Sequence, residues 1–250
     1  TVSCTGFFAP GPDFLILRAL GLNPGARRYH LGFMGCYAAF PALELAQSIC
    51  QAEPEANVLV VCVELCSLHL QAQRDLDAVL SASLFADGGA GALVSARPPE
   101  AGTRAAGALR LEALGTRLLE AGEGDMAWAI GDHGFEMVLS SYVPELLGSS
   151  LAPLVEPLLA ASGLSAAEVP HWAVHPGGRA ILDRVACSLK LEERQIAASR
   201  AVLAACGNMS SATVLFVLER LQREAAPGEA VFGLAFGPGL TLASGRFTRV

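Results

Sequence analysis

Val58-Leu59-Val60-Val61-Cys62-Val63 is an unbroken apolar run held between Asn57 and Glu64. It is far too short to cross a bilayer, which takes about 20 apolar residues. Its β-branched content marks a strand. Strand side chains alternate between two faces, so a strand apolar throughout needs cover on both sides, and sheets obtain that cover from helices. The rest of the chain supplies the partners. Helical spacing recurs over residues 13–21, where Asp13 is placed to cap, and over residues 37–52, with Leu43, Ala46 and Ile49 on one face. Further helices are expected over residues 75–83, 141–161 (interrupted at its prolines), 179–188, 191–197 and 208–223. Residues 27–33 are expected to be extended, and strands are expected at residues 91–95, 108–116, 172–175, 230–236 and 241–247. Alternating strands and helices of this kind define an α/β fold with a mixed sheet sandwiched by helices, and with function at strand ends and helix N-termini.

Composition removes several classes of function. The formal charge is −7, with 16% charged against 52% hydrophobic residues. No basic stripe offsets the acidic balance, which argues against nucleic acid as a partner, and the apolar content excludes a disordered chain. No run is long enough for a membrane span, and no charged-then-apolar leader opens the sequence. Lys190 is the sole lysine, so a Walker-type phosphate loop is absent. Seven cysteines, odd in number and without a C-x-x-C pair, give neither a disulfide framework nor a zinc pattern. Reduced thiols in the cytoplasm are the expectation. Thr1-Val2-Ser3-Cys4-Thr5 lacks an initiator methionine and reads as the inside of a strand, so the chain is expected to be part of a longer polypeptide.

Three residues stand in frames suited to chemistry. Cys36, in Gly32-Phe33-Met34-Gly35-Cys36-Tyr37, sits at a strand-to-helix junction, where free backbone N–H groups and the helix dipole favour a thiolate. A buried structural cysteine would look the same in isolation. His175 ends an apolar strand before Pro176-Gly177-Gly178, a place from which a side chain enters a cleft or simply fills a core. Asn208, in Gly207-Asn208-Met209-Ser210-Ser211, reads either as a helix N-cap or as an amide donor to a developing oxyanion. No metal-ligand set is visible.

Taken together with two further segments, these residues resemble the type III polyketide synthases, the chalcone-synthase-like family of the thiolase superfold. The resemblance spans essentially the whole chain. It rests on the Gly-Phe-Met-Gly-Cys36 segment, Leu84-Phe85-Ala86-Asp87-Gly88, His175-Pro-Gly-Gly, Gly207-Asn208-Met-Ser-Ser and Phe236-Gly237-Pro238-Gly239-Leu240-Thr241, in order and at fitting separations. It implies a layered αβαβα fold of two pseudo-twofold halves, the first incomplete. Residues 1–96 would be the remainder of the half carrying the nucleophile. Residues 97–250, opening at the Pro/Gly/Ala/Arg-rich stretch 97–107, would carry the histidine and asparagine. About a third of the usual chain would precede Thr1, including most basic residues that the family sets against coenzyme A phosphates.

The resemblance also implies a reaction. Cys36 thiolate, paired with protonated His175, would take an acyl starter from coenzyme A as a thioester. Malonyl-CoA would lose CO₂, and donors from His175 and Asn208 would stabilise the enolate oxygen. Phe85 would act as gatekeeper with an apolar surface disfavouring the carboxylate, and would otherwise be an ordinary core aromatic. Repeated condensation and cyclisation need no metal and no cofactor beyond the coenzyme A esters themselves. Cys4, Thr5, Cys66, His69, Met137, Ser210 and Pro238 are expected at or near the cavity wall, with Cys66 either a second thiol or a packing residue. Plant chalcone-forming members usually carry threonine where Cys66 and His69 stand and phenylalanine at Met137. Residues 4–13 look more like bacterial members that take fatty acyl starters and make alkylpyrones or alkylresorcinols. Ala9-Pro10 matches a cis peptide at the family's dimer contact, which implies a homodimer. Two rivals remain: a 3-oxoacyl-[acyl-carrier-protein] synthase III, whose histidine motif usually reads His-Gln-Ala-Asn, and an inactive partner subunit, which would be expected to lack the nucleophile.

Overall fold

In the computed structural model, residues 1–71, 79, 82–99, 107–119, 122–132, 134–140, 143–160 and 163–250 are described. Most of the helix expected over residues 75–83 lies outside them. The apolar run forms β3 (Asn57–Glu64), in a four-stranded sheet of order β2-β1-β3-β4 with β1 (Val2–Ser3), β2 (Leu31–Gly32) and β4 (Gly88–Ser95). β1 runs parallel to β2 and β3, and β4 antiparallel to β3. A second sheet has the order β5-β10-β9-β8, from β5 (Leu109–Leu118), β8 (His171–Val174), β9 (Ala230–Gly237) and β10 (Thr241–Arg249). Only β8 and β9 are parallel there, so both four-stranded sheets are mixed.

Helices α2 (Ala39–Ala52) and α6 (Thr213–Glu224) lie between the sheets and touch both. Period-two alternation along β9 explains how one strand serves two layers. Val231 and Ala235 join the core around α2 and α6, whereas Phe232, Leu234 and Phe236 point the other way. That second face is covered by α3 (Val143–Ala160), α4 (Arg179–Leu189) and α5 (Glu193–Cys206). Fully buried side chains such as Trp172, Leu182 and Ile196 each contribute about 1.5–3 kcal/mol through burial. The described residues thus supply four layers of the thiolase-like fold: sheet, helices, sheet, helices. On the outer face of the first sheet Leu59 and Leu93 are exposed.

The layers meet closely at Phe40. A Cβ at Gly233 would lie 2.8 Å from Phe40 Cζ, and one at Gly245 would lie 2.9 Å from Phe40 Cε1. Bare backbone on β9 and β10 is what lets α2 seat its ring.

Several boundaries differ from the sequence reading, for physical reasons. Helix α1 (Pro12–Ala19) begins at Pro12 after an uncapped Gly11, because proline's fixed φ and missing N–H suit a first position. Asp13 instead pairs with Arg28 at 2.7 Å. Helix α3 is continuous: Pro153 and Pro157 fall on its exposed side, while Leu147, Leu151, Val155 and Leu159 form a buried i,i+4 row. Helix α5 runs on to Cys206 through alanine-rich sequence of high helix propensity, from a capping box of Glu192 and Gln195. The stretch expected to be extended over residues 27–33 forms strand only at Leu31–Gly32, and the peptide Ala9–Pro10 is cis. A hairpin of β6 (Met126–Gly131) and β7 (Gly134–Leu139) was not expected from the sequence. No helix among the described residues is long and apolar enough to cross a membrane.

Candidate active site

Cys36 occupies the turn that precedes α2, in the short link from β2 to the buried helix. Gly35 before it has φ +79°, and a Cβ there would lie 2.4 Å from Pro238 Cδ. The nucleophile segment therefore rests on the turn joining β9 to β10, a contact only glycine permits. His175 follows the last residue of β8, and its backbone N–H donates to Leu234 O at 2.7 Å, which prolongs the pairing with β9. Asn208 follows α5 and forms an isolated parallel bridge with Phe85. Its N–H donates to Leu84 O and its carbonyl accepts from Ala86 N–H, both at 2.8 Å, so backbone pairing sets Phe85 beside the asparagine. The side chain does not start the helix. Asn208 Oδ1 accepts the Ser210 N–H at 2.9 Å, a short 3₁₀ turn (Ser210–Ala212) intervenes, and Nδ2 donates to Gly177 O at 3.3 Å.

One cavity of about 290 Å³ gathers Cys36, His175, Asn208 and Phe85, with Cys4, Thr5, Cys66, Met137, Ser210 and Pro238 also in its wall. His69 is not part of the lining. Its ring stacks on Phe135 at 4.3 Å and meets Trp128 edge-on at 5.5 Å. Its Nε2 donates to Thr5 O at 2.7 Å, and Nδ1 accepts the Phe135 N–H at 3.2 Å, so the imidazole is spent on tying the β6–β7 hairpin to the segment after β1.

The electrostatics of the pair also differ from expectation. Burial pushes the Cys36 thiol up to about 11, opposed by hydrogen bonding from Ser210 and Asn208 and reinforced by Glu64. Burial alone pulls His175 down to about 3. Cys36 Sγ donates to Ser210 Oγ at 3.5 Å, and neither ring nitrogen of His175 has a partner among the described residues. Burial therefore works against a thiolate–imidazolium pair at this site. The apolar wall favours neutral thiol and neutral imidazole.

Three residues of the site were not singled out from the sequence. Glu64, fully buried at the end of β3, accepts the Cys4 N–H at 3.1 Å, Thr5 Oγ1–H at 2.8 Å and Ser211 Oγ–H. A carboxylate closing an otherwise apolar strand was the available signal, because a buried charge survives only with such partners. Burial, and next Glu64, hold the Cys66 thiol at about 12 and Cys4 higher still. Trp128 lines the cavity from β6 and donates Nε1–H to Cys4 O at 2.6 Å. Arg179, the first residue of α4, also lies in the lining.

A thiol, an imidazole and a carboxamide around one largely apolar cavity, in a thiolase-like α/β fold, define a site able to accept an acyl group on sulfur and to stabilise charge on a carbonyl oxygen. The family models for chalcone and stilbene synthases match the chain, the N-terminal domain over residues 1–98 and the C-terminal domain over residues 111–247. The chain belongs to the chalcone and stilbene synthase family. It is 36% identical over 241 residues to the alpha-pyrone synthesis polyketide synthase-like Pks18 of Mycobacterium tuberculosis, a match covering 95% of this chain and 61% of that protein. It is structurally similar to PKS-I of the brown alga Ectocarpus siliculosus, with a TM-score of 0.92, 32% identity, and coverage of 100% of this chain and 67% of that one. The type III polyketide synthase 1,3,6,8-tetrahydroxynaphthalene synthase of Streptomyces coelicolor is similar too, with a TM-score of 0.90, 31% identity, and coverage of 99% and 70%. The chain therefore spans about three fifths of the length of that mycobacterial relative.

Proposed function

We propose that the protein is a type III polyketide synthase, which condenses malonyl-CoA onto an acyl starter held by Cys36 and cyclises the product to an α-pyrone. The observation that carries this reading is the convergence of Cys36, His175, Asn208 and Phe85 on one cavity. The pyrone synthesis for which the mycobacterial relative is named favours a pyrone as the ring.

With burial favouring the neutral thiol and the neutral imidazole, the reaction begins as the starter thioester enters. His175, with both nitrogens unpartnered among the described residues, takes the Cys36 proton while Sγ attacks the thioester carbon, and the coenzyme A thiol leaves with a proton. Malonyl-CoA then sheds CO₂, and its electron pair moves to the thioester oxygen as an enolate. Asn208 Nδ2 keeps one N–H beyond the bond to Gly177 O and, with the N–H of the imidazole that has handed its extra proton to the leaving coenzyme A thiolate, donates to that oxygen. Phe85 offers no partner to the malonyl carboxylate, which favours its loss as neutral CO₂. The enolate carbon attacks the Cys36 thioester, and the lengthened chain returns to sulfur for the next round.

A fatty acyl starter fits the apolar wall, in which Met126, Leu139, Val143 and Ile181 take part. We place a second copy of the chain over Phe7, Phe8 and Leu15, which are 79%, 59% and 55% exposed around the cis Ala9–Pro10 peptide. No metal has a role in this chemistry, and the protein would work in the reducing cytoplasm.

Mass spectrometry of products from malonyl-CoA and a panel of acyl-CoA starters tests the reading. Pyrones lengthened by several malonyl units are expected, with long acyl starters preferred. Turnover of malonyl carrier protein to a single condensation product would instead establish the 3-oxoacyl synthase alternative, and reaction with short or aromatic starters alone would refute the fatty acyl preference.

A further inference from the structure

Among the described residues β8 is the outermost strand of its sheet, so one row of its backbone groups has no strand to pair with. The direction of those groups alternates along a strand. The His175 N–H points to β9, where it donates to Leu234 O at 2.7 Å, so Trp172 O and Val174 N–H point the other way, to the open edge. One side chain closes both. Val174 N–H donates to Ser199 Oγ at 3.0 Å, and Ser199 Oγ–H donates to Trp172 O at 3.3 Å. A neighbouring parallel strand would offer these two groups one acceptor and one donor, and the single hydroxyl supplies both. Ser199 is fully buried on α5. One turn earlier on the same helix, buried Gln195 donates to Val169 O at 2.8 Å, just before β8 begins. Two polar side chains of α5 thus take the place of a neighbouring strand.

The next residue after that strand is His175, and no side-chain bond orients it. Neither of its ring nitrogens has a partner among the described residues, whereas the bond made by one ring nitrogen ordinarily sets the state and direction of the other. The position of this imidazole is inherited from the backbone that carries it. Asn208 depends on the same helix: α5 ends at Cys206, Asn208 follows two residues later, and its Nδ2 donates to Gly177 O in the turn after His175. We infer that Ser199 is a positioning residue for His175, holding β8 to α5 so that the imidazole reaches the Cys36 thiol and shares the substrate oxygen with Asn208; the inference rests on the condensation reading above. Ser199 is not part of the cavity lining, so it acts only through the strand. Without its hydroxyl, Val174 N–H and Trp172 O are left buried and unpaired, and the end of β8 shifts to find partners.

Single-turnover acylation of Cys36 by an acyl-CoA, read by peptide mapping, tests the assignment in wild type, S199A and S199C, each with His175 intact and with His175→Gln. S199A should acylate about tenfold more slowly at saturating acyl-CoA, with half-saturation changed by less than about twofold, because a misplacement of about 1 Å costs up to about a hundredfold in rate. S199C keeps the volume of the side chain but bonds weakly, so its rate should fall between wild type and S199A, and it carries the test where S199A does not fold. With His175→Gln the three residues at position 199 should give rates within about twofold of one another, since a positioning residue has nothing to add once the group it positions is gone. Equal losses with and without the imidazole would show that Ser199 supports the fold in general, and would overturn the assignment. Wild-type rates in both S199A and S199C would overturn it as well. Wild-type protein that leaves Cys36 unacylated contradicts the condensation reading itself, whereas normal wild-type acylation matched by S199A and S199C contradicts only the role of Ser199.

Discussion

Cys36 and His175 hold opposite shifts from one cause: in a cavity walled mostly by apolar atoms each keeps the neutral form. Two outcomes follow. Iodoacetamide labelling of Cys36 in the ligand-free protein should climb about tenfold per pH unit from pH 7 to 10, since the thiol lies near 11. A plateau near neutrality would mean a thiolate stabilised by His175 after all. The histidine adds a stability effect whose sign is set by its lowered value, about 3 when folded against an ordinary 6.5 when unfolded. Between those values the unfolded chain binds the extra proton, so stability is full above about 6.5 and falls with acid by about 1.4 kcal/mol per pH unit. Urea unfolding between pH 7 and 5 should show a shallower acid dependence for His175→Gln than for wild type; identical slopes would place the imidazole in contact with solvent. Both residues were legible because Cys36 follows Gly35 just before a buried helix and His175 follows a buried strand just before Pro176-Gly177-Gly178. Their protonation was not legible, since it depends on walls contributed by segments far away in sequence.

At the scale of elements, the central layer depends on one ring over two bare backbones. Phe40→Ala removes that ring and should cost about 3–5 kcal/mol, as for other buried aromatics. Gly245→Ala places a methyl 2.9 Å from Phe40, Leu114 and Phe247 atoms, an overpacking worth about 1–3 kcal/mol. Combined, the two should cost clearly less than their sum, because the methyl enters the space the ring leaves. Denaturant midpoints of the four proteins measure this, and strict additivity would show that α2 does not bear on β10 in the way described. The sequence announced α2 through Leu43, Ala46 and Ile49 and announced β9 and β10 through their apolar runs. It did not announce the hairpin of Met126–Gly131 and Gly134–Leu139, whose short strands mix exposed Ile130 and Val138 with cavity-lining Trp128 and Met137. A strand that is half wall and half surface has no clean alternation to read. The same hairpin consumes His69, and so a residue expected at or near the cavity wall stands just behind it, against the lining residues Trp128 and Thr5.

At the scale of the molecule, the layers exist to bring loop ends together. Cys36 comes from the first sheet's side, whereas His175, Asn208 and Pro238 come from segments around the second, and Gly35 packed on Pro238 joins the two. Their order in the chain made the family recognisable, because each residue sits in a local motif. Glu64 carries no such motif, and its meaning appears only when folding buries it among the Cys4 N–H and the Thr5 and Ser211 hydroxyls. The central claim is that this cavity makes sulfur the seat of an acyl group. Intact-mass analysis after brief incubation with an acyl-CoA, followed by peptide mapping, tests it most directly. One acyl equivalent should be found on Cys36 and none on Cys4 or Cys66, with the adduct lost in Cys36→Ala; an unmodified chain, or acylation that persists in Cys36→Ala, would contradict the account.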